Sequence, residues 1–171
     1  MQIVIDDLTY PATRELLALH LASLRTNSPP GTCFALDISG LQKPEITVWT
    51  VRDGEAVLGI GALKSLPPDG TAGELKSLRT HPEHLRKGVA RTLLEHIIKE
   101  AKARGMRRLS LETGTGPDFE ATIALYRKRG FVEGDAFAEY PKGTGFNCFF
   151  HLDLTLDSDL HSAEGSKETT V

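Results

Sequence analysis

Over the first thirty residues the apolar positions pass from a short continuous run to a helical stripe. Gln2 to Ile5 (QIVI) is a brief β-rich run. From about Pro11 to Leu24 the residues Leu17, His20, Leu21 and Leu24 recur at helical spacing, with Pro11 in a first turn where its missing N–H costs nothing. His20 lies on the stripe and reads as a histidine at the edge of the core. Asn27-Ser28-Pro29-Pro30-Gly31 breaks the helix, and residues 32–44 allow a short second one. Ile46–Arg52 and Glu55–Lys64 are β-rich runs on either side of Asp53-Gly54, a strong hairpin signal. After the turn Pro67-Pro68-Asp69-Gly70, Gly73–Thr80 reads as the third strand of an antiparallel meander.

From Gly88 the period changes. Val89, Leu93, Leu94, Ile97, Ile98 and Ala101 fall on one helical face, Glu95, Lys99, Glu100 and Lys102 largely on the other, and Gly105 suits a left-handed cap. Residues 107–113 (RRLSLET) alternate as a strand with Leu109 and Leu111 inward. A helix is expected from about Asp118, as N-cap, to Arg129, stopped by Gly130, with strands near 131–139 and 145–154. No internal repeat is present. The order β-α-(α)-β-β-β-α-β-α-β-β predicts an α/β (α+β mixed-sheet) domain over residues 1–155, mostly antiparallel, with helices on both faces. Its one parallel crossover, from strand 73–80 through helix 88–104 to strand 107–113, should be right-handed. Residues 156–171 are polar and aperiodic and read as a disordered tail.

Charge narrows the function classes. The formal net charge is -3, and residues 157–171 account for all of it, with Asp157, Asp159, Glu164 and Glu168 against Lys167. A chain with no basic excess is not expected to bind nucleic acid. No window approaches the ~18 apolar residues of a membrane span. Met1–Leu8 holds Asp6 and Asp7 and no basic run, so no signal peptide is expected. Cys33 and Cys148 are far apart and form no CxxC pair, which suits free thiols in a reducing cytoplasm.

Candidate chemistry concentrates in Glu74–Ala90, ELKSLRTHPEHLRKGVA. A strand ends, a basic loop follows, and a helix opens at Gly88, whose first N–H groups lack intrahelical partners and carry partial positive charge. Arg86, Lys87 and Arg91 add full positive charges where a helix normally avoids them, so an anionic partner is implied. Alone, these residues also fit a solvated basic loop before an amphipathic helix. Neither GxxxxGK[ST] nor GxGxxG is present. His81-Pro82-Glu83-His84 offers two histidines with no third ligand in evident register, so no metal is expected.

Glu74–Ile97, Arg107–Thr113 and ALYRKRGF (Ala124–Phe131), in that order and spacing, resemble the GNAT superfamily of acyl-CoA N-acyltransferases. IDDL (Ile5–Leu8), SPP (Ser28–Pro30), PEIT (Pro44–Thr47), GALK (Gly61–Lys64), HLRKGVA (His84–Ala90) and SLETG (Ser110–Gly114) are similar to a YsnE-like branch of it. The resemblance covers about residues 1–155. Two positions depart from the family pattern: Leu85 stands where Gln or Arg is usual, with Arg86 one position later, and Phe119 stands where Asn is common.

The resemblance implies acetyl-CoA as co-substrate, its pyrophosphate on Arg86, Lys87, Gly88, Val89, Ala90 and Arg91. It implies a pantothenate arm pairing with the main chain near Leu78, Arg79 and Thr80, where an N–H polarises the thioester. Tyr126, in the LYxxxGF motif, is implied as general acid and Glu74 as general base, with Glu112 able to share that role. Glu74 also fits a structural carboxylate paired with Lys76 or Arg107, and Tyr126 a packing residue. Ser28, Glu112, Tyr140 and Asn147, the last two on the final strands, are candidates for the acceptor pocket. The expected activity is acetyl transfer to a primary amine of a small molecule. A protein or peptide N-acetyltransferase and a catalytically silent acetyl-CoA sensor are the alternatives, and a homodimer is implied by analogy alone.

Overall fold

The computed structural model describes residues 1–156, so the expected disordered tail lies, apart from Leu156, outside the described residues. Strand β1 (Gln2–Ile5) leads into helix α1 (Pro11–Asn27), which runs about a turn beyond the sequence expectation, and a single-turn helix α2 (Ile38–Leu41) follows. Strands β2 (Ile46–Asp53), β3 (Ala56–Ser65) and β4 (Ala72–Thr80) form the meander, with Gly54 at φ 57° turning β2 into β3. Helix α3 (Val89–Ala103) crosses to β5 (Arg108–Gly114), which lies parallel to β4. Helix α4 (Glu120–Lys128), β6 (Val132–Gly134) and β7 (Asn147–Asp153) complete a seven-stranded sheet of order β1-β2-β3-β4-β5-β7-β6, in which only the β4–β5 pair is parallel. The mixed α/β sheet flanked by helices matches the expectation.

Each face of the sheet has its own core. On one, Leu93, Leu94 and Ile97 of α3 and Tyr126 of α4 close over Leu63, Leu75, Leu109, Leu111 and Phe150. On the other, Leu16 and Leu17 of α1 and Leu41 of α2 pack on Val48, Ile60 and Ala62. Each such buried Leu or Ile contributes about 1.5–3 kcal/mol. Glycine lets α3 approach the sheet: a Cβ on Gly59 would lie 2.5 Å from Val89 Cγ1, and one on Gly61 2.9 Å from Ile97 Cδ1.

Two local expectations need correction. Asp118 does not cap α4: Gly116, at φ 108°, opens a 3-10 turn over Pro117–Phe119, and α4 begins after Phe119 with no side-chain cap. The strand expected over 131–139 is only three residues long. From Asp135 the chain leaves the sheet, and Phe137 and Tyr140 turn back to pack edge-on with each other and against Phe149, which Phe137 meets edge-on and Tyr140 at a tilt. Tyr140 therefore sits in a connecting segment rather than on a strand.

Candidate active site

The β4–β5 ladder stops early. Its pairs are Ala72↔Arg108, Gly73↔Leu109 and Glu74↔Ser110, although β4 continues to Thr80 and β5 to Gly114. A bulge accompanies the parting: β4's register against β3 jumps from Ala62↔Lys76 to Ile60↔Arg79, and Ser77 between them has φ 56°. A bulge bends the strand that carries it. Past Glu74, the strands splay around a cleft of about 440 Å³ walled by α1, the segment before α2, β4, β5 and the start of α4. The β4 main chain bordering the gap has no β5 partner, so it can accept an extended ligand as an added strand.

At one end of β4 lies the start of α3. Arg86 (φ 62°) and Gly88 (φ 78°) both adopt the left-handed conformation, and Gly88 immediately precedes the helix. Among the described residues, no N–H from Arg86 to Arg91 donates a hydrogen bond, and the first intrahelical bond is Thr92 N–H to Gly88 O at 2.9 Å. No acidic residue occupies the first turn. Free N–H groups, the helix dipole and the exposed Arg86 and Lys87 suit a phosphate-bearing ligand. Leu85, exposed on the cleft rim, and Phe119, ring to ring with Phe146 at 5.6 Å, occupy the two departures from the family pattern as apolar walls.

Inside the cleft two carboxylates share a sheet face. Leu75 belongs to the α3-side core, as do Leu109 and Leu111, so alternation sends Glu74, Lys76, Ser110 and Glu112 to the α1 side. Glu74 is 2% exposed. Its Oε1 accepts from Tyr140 Oη and from Lys76 Nζ at 3.1 Å, and Lys76 also donates to Tyr140 Oη at 2.9 Å. Burial, then the Glu74 charge and hydrogen bond, push the Tyr140 phenol above its ordinary range, so it stays protonated. Glu112 Oε1 accepts from Asn147 Nδ2 at 2.6 Å. Burial raises the Glu112 carboxyl above its usual value despite the Asn147 bond and the Lys76 charge, with Glu74 adding repulsion.

Tyr126 approaches the same space from the opposite core. The sequence LYRKRGF closes α4 in a Schellman cap: Gly130, at φ 92°, donates to Arg127 O at 3.1 Å, and Phe131 N–H donates to Tyr126 O at 3.1 Å. The Phe131 and Phe150 rings lie 5.7 and 6.4 Å from the Tyr126 ring. Burial, reinforced by the Glu112 charge, raises the Tyr126 phenol as well.

Of the residues singled out in the sequence, Ser28, Glu74, Leu78, Arg79, Thr80, Ala90, Glu112 and Tyr126 line this one cleft. Arg86, Lys87, Gly88, Val89 and Arg91 form the turn and first helical residues beside Ala90, outside the cleft wall. Tyr140 and Asn147 stand behind the two carboxylates rather than in the wall. The Glu74–Lys76 pair offered by the sequence as a structural alternative is present, with the two residues two apart on one strand; what sequence reasoning missed is that Lys76 also bridges to Tyr140. It also missed that His20 faces the cleft.

Glu83 supplies the third donor that the HPEH stretch was read as lacking: donor atoms of His81, Glu83 and His84 lie within 4.8 Å of one another. His81 Nδ1, however, accepts the Glu83 N–H at 3.1 Å, and Lys87 Nζ stands 3.0 Å from His84 Nδ1, where its charge repels a cation. Among the described residues, no helix is long and apolar enough to cross a membrane.

Residues 13–131 match the acetyltransferase (GNAT) family model. The chain is 49% identical over 135 residues to the uncharacterized N-acetyltransferase YedL of Escherichia coli (strain K12), covering 79% of this chain and 84% of the relative. It is 48% identical over 140 residues to the uncharacterized N-acetyltransferase YsnE of Bacillus subtilis (strain 168), covering 82% and 91%. Its fold also superposes on an aminoglycoside 6'-N-acetyltransferase solved with coenzyme A, with TM-score 0.67 at 16% identity, covering 90% of this chain and 97% of that one.

Proposed function

The chain belongs to the GNAT acetyltransferase family, and we propose that it moves the acetyl group of acetyl-CoA to the primary amine of a small molecule in the β4–β5 cleft. One observation carries this: the splay after Glu74 runs from the anion-accepting start of α3 to a wall bearing two carboxylates and a buried tyrosine. The unsatisfied N–H groups of Arg86–Arg91 take the pyrophosphate of acetyl-CoA. The pantothenate arm lies along unpaired β4 main chain, where an N–H near Leu78 stabilises the thioester oxygen as charge develops.

The chain's side chains then manage protons. An alkyl amine is a cation at neutral pH, and the carboxylate pair draws it in. Glu112 removes its proton, directly or through water. Glu74 is less suited, because it is ion-paired to Lys76 as well as bonded to Tyr140, whereas Glu112 meets one neutral amide and burial raises its carboxyl. Glu74 instead holds Lys76 and Tyr140 in place. The freed amine attacks the thioester carbon. As the new carbon–nitrogen bond forms and the carbon–sulfur bond breaks, Tyr126 donates its proton to the departing thiolate, and the second proton lost by the nitrogen returns through water to the phenol. A buried, protonated phenol holds that proton until the sulfur gains charge.

Thiol release from acetyl-CoA by the full chain, measured across amines, amino acids and peptides with product masses, tests this reading. Acetylated small amines are expected. Acetylation of peptides alone would assign the cleft to a protein substrate, and binding of acetyl-CoA with no thiol release for any acceptor would make it a sensor.

A further inference from the structure

The cleft contains an unused cation. Arg79 follows Leu78 on β4, and since Leu78 packs against the α3-side core, Arg79 projects to the α1 side, the face of the carboxylates. Among the described residues, the Arg79 side chain has no carboxylate partner and no hydrogen bond, and its Nε is buried and unsatisfied. Glu74, Glu112 and Asp118 also border the cleft, yet none of them pairs with it. Two further buried polar atoms on the same cleft lack partners: Ser77 Oγ, at the bulge, and His20 Nδ1, on α1.

Leaving such groups unsatisfied is destabilising, most of all for a charged one. The three residues that carry these orphaned atoms line one cleft, where an acceptor atom would satisfy them. His20 is no competing cation, because burial, and secondly the Arg79 charge, lower its pKa to about 4. Lys76 is satisfied by Glu74 and Tyr140, so Arg79 is the uncommitted positive charge on this wall. The pyrophosphate has its own cations at the turn before α3.

We propose that Arg79, with Ser77 Oγ and His20 Nδ1, binds a carboxylate carried by the acceptor, so that the substrate is an amino acid rather than a simple amine or polyamine. The planar guanidinium matches a carboxylate in two parallel hydrogen bonds. This rests on the acetyl-transfer reading above, and it narrows the substrate. Arg79 lies one residue, about 3.3 Å along the strand, from the Leu78 main chain assigned to the thioester. An anion held there therefore sits close to the amine, as in an α- or β-amino acid.

The test compares free amino acids with their amides and with the corresponding decarboxylated amines, by thiol release in the full chain, beside calorimetric acetyl-CoA binding. For the amino acid that is turned over, kcat/KM should exceed that of its amide by at least about tenfold. Arg79→Gln should bring the ratio near one, chiefly through KM, and Arg79→Lys should restore part of it. Turnover confined to amines without a carboxylate, or equal use of acid and amide by the wild type, overturns the proposal. So does an Arg79→Gln or Arg79→Lys protein that loses acetyl-CoA binding while keeping the acid-over-amide ratio. Absence of acetyl-CoA binding in the wild type would instead overturn the acetyl-transfer reading itself.

Discussion

Asn147 Nδ2 donates to Glu112 Oε1 across 2.6 Å and to the Thr32 main-chain oxygen across 2.9 Å. One amide thus ties the start of β7 to β5 and to the segment that walls the cleft after α1. A hydrogen bond to the ionised carboxylate favours that form, while burial disfavours it, and here burial prevails.

That balance sets a pH dependence. A base works only when deprotonated, so activity should fall as pH drops through the Glu112 value, which burial places above the ordinary carboxylate range. Glu112→Gln should remove this acid limb and lower kcat by about 100-fold. Asn147→Ala deletes a bond that favours the charged form, so the limb should move to higher pH. A profile of kcat/KM unchanged by either substitution would place proton removal elsewhere.

Tyr126→Phe keeps the ring contacts with Phe131 and Phe150 and deletes only the hydroxyl. Turnover is expected to fall about 100-fold while acetyl-CoA affinity is retained. Steady-state kinetics beside calorimetry separates the two, and full turnover in Tyr126→Phe would remove the hydroxyl from the chemistry.

Gly59 controls how closely the start of α3 sits on the sheet. A Cβ there would meet Val89 Cγ1 at 2.5 Å and the Arg79 carbonyl oxygen at 3.0 Å. Gly59→Ala should therefore cost about 1–3 kcal/mol of stability and displace the phosphate-facing N–H groups. Gly54→Ala is the control: unlike Gly59 it sits at positive φ, so alanine is strained there, but its Cβ would meet nothing within 4 Å. Thermal melts and acetyl-CoA titration should show both stability and affinity falling in Gly59→Ala, and stability alone in Gly54→Ala.

Acid stability should depend on Asp6, which is 5% exposed. Burial alone would raise its carboxyl, but hydrogen bonds from Thr13, Arg52, Leu8 and Thr50 together outweigh burial and hold it below the ordinary aspartate value. A carboxyl depressed in the folded state stabilises above its unfolded value and loses that contribution as pH falls through the folded one. Asp6→Asn should cost about 2 kcal/mol near neutrality, and the gap to wild type should close on acidification below ~4. Melts showing an equal gap at both pH values would contradict the network's role.

The sequence made local chemistry legible. Asp53-Gly54 marks the hairpin and Gly88 the phosphate-facing turn. The Tyr126–Gly130–Phe131 spacing is the footprint of a Schellman cap that fixes the tyrosine. Long-range closure was not legible. Tyr140 reaches Glu74 across 66 positions and Asn147 reaches Thr32 across 115, through segments whose apolar alternation resembles strand. Arg79 was legible only for its main chain beside the pantothenate arm, since only the fold shows which side-chain cations find partners. Asp118 misled because an Asp before a helical run looks like a cap, whereas Gly116-Pro117 starts a tighter turn first.

The central claim is most directly tested by calorimetric titration of the full chain with acetyl-CoA, with ATP as control and the Arg86→Ala/Lys87→Ala variant alongside. Saturable binding of acetyl-CoA at micromolar protein, little binding of ATP, and weaker acetyl-CoA binding in the variant are the predicted results. Equal binding of ATP, or no binding of acetyl-CoA by the wild type, would contradict the account.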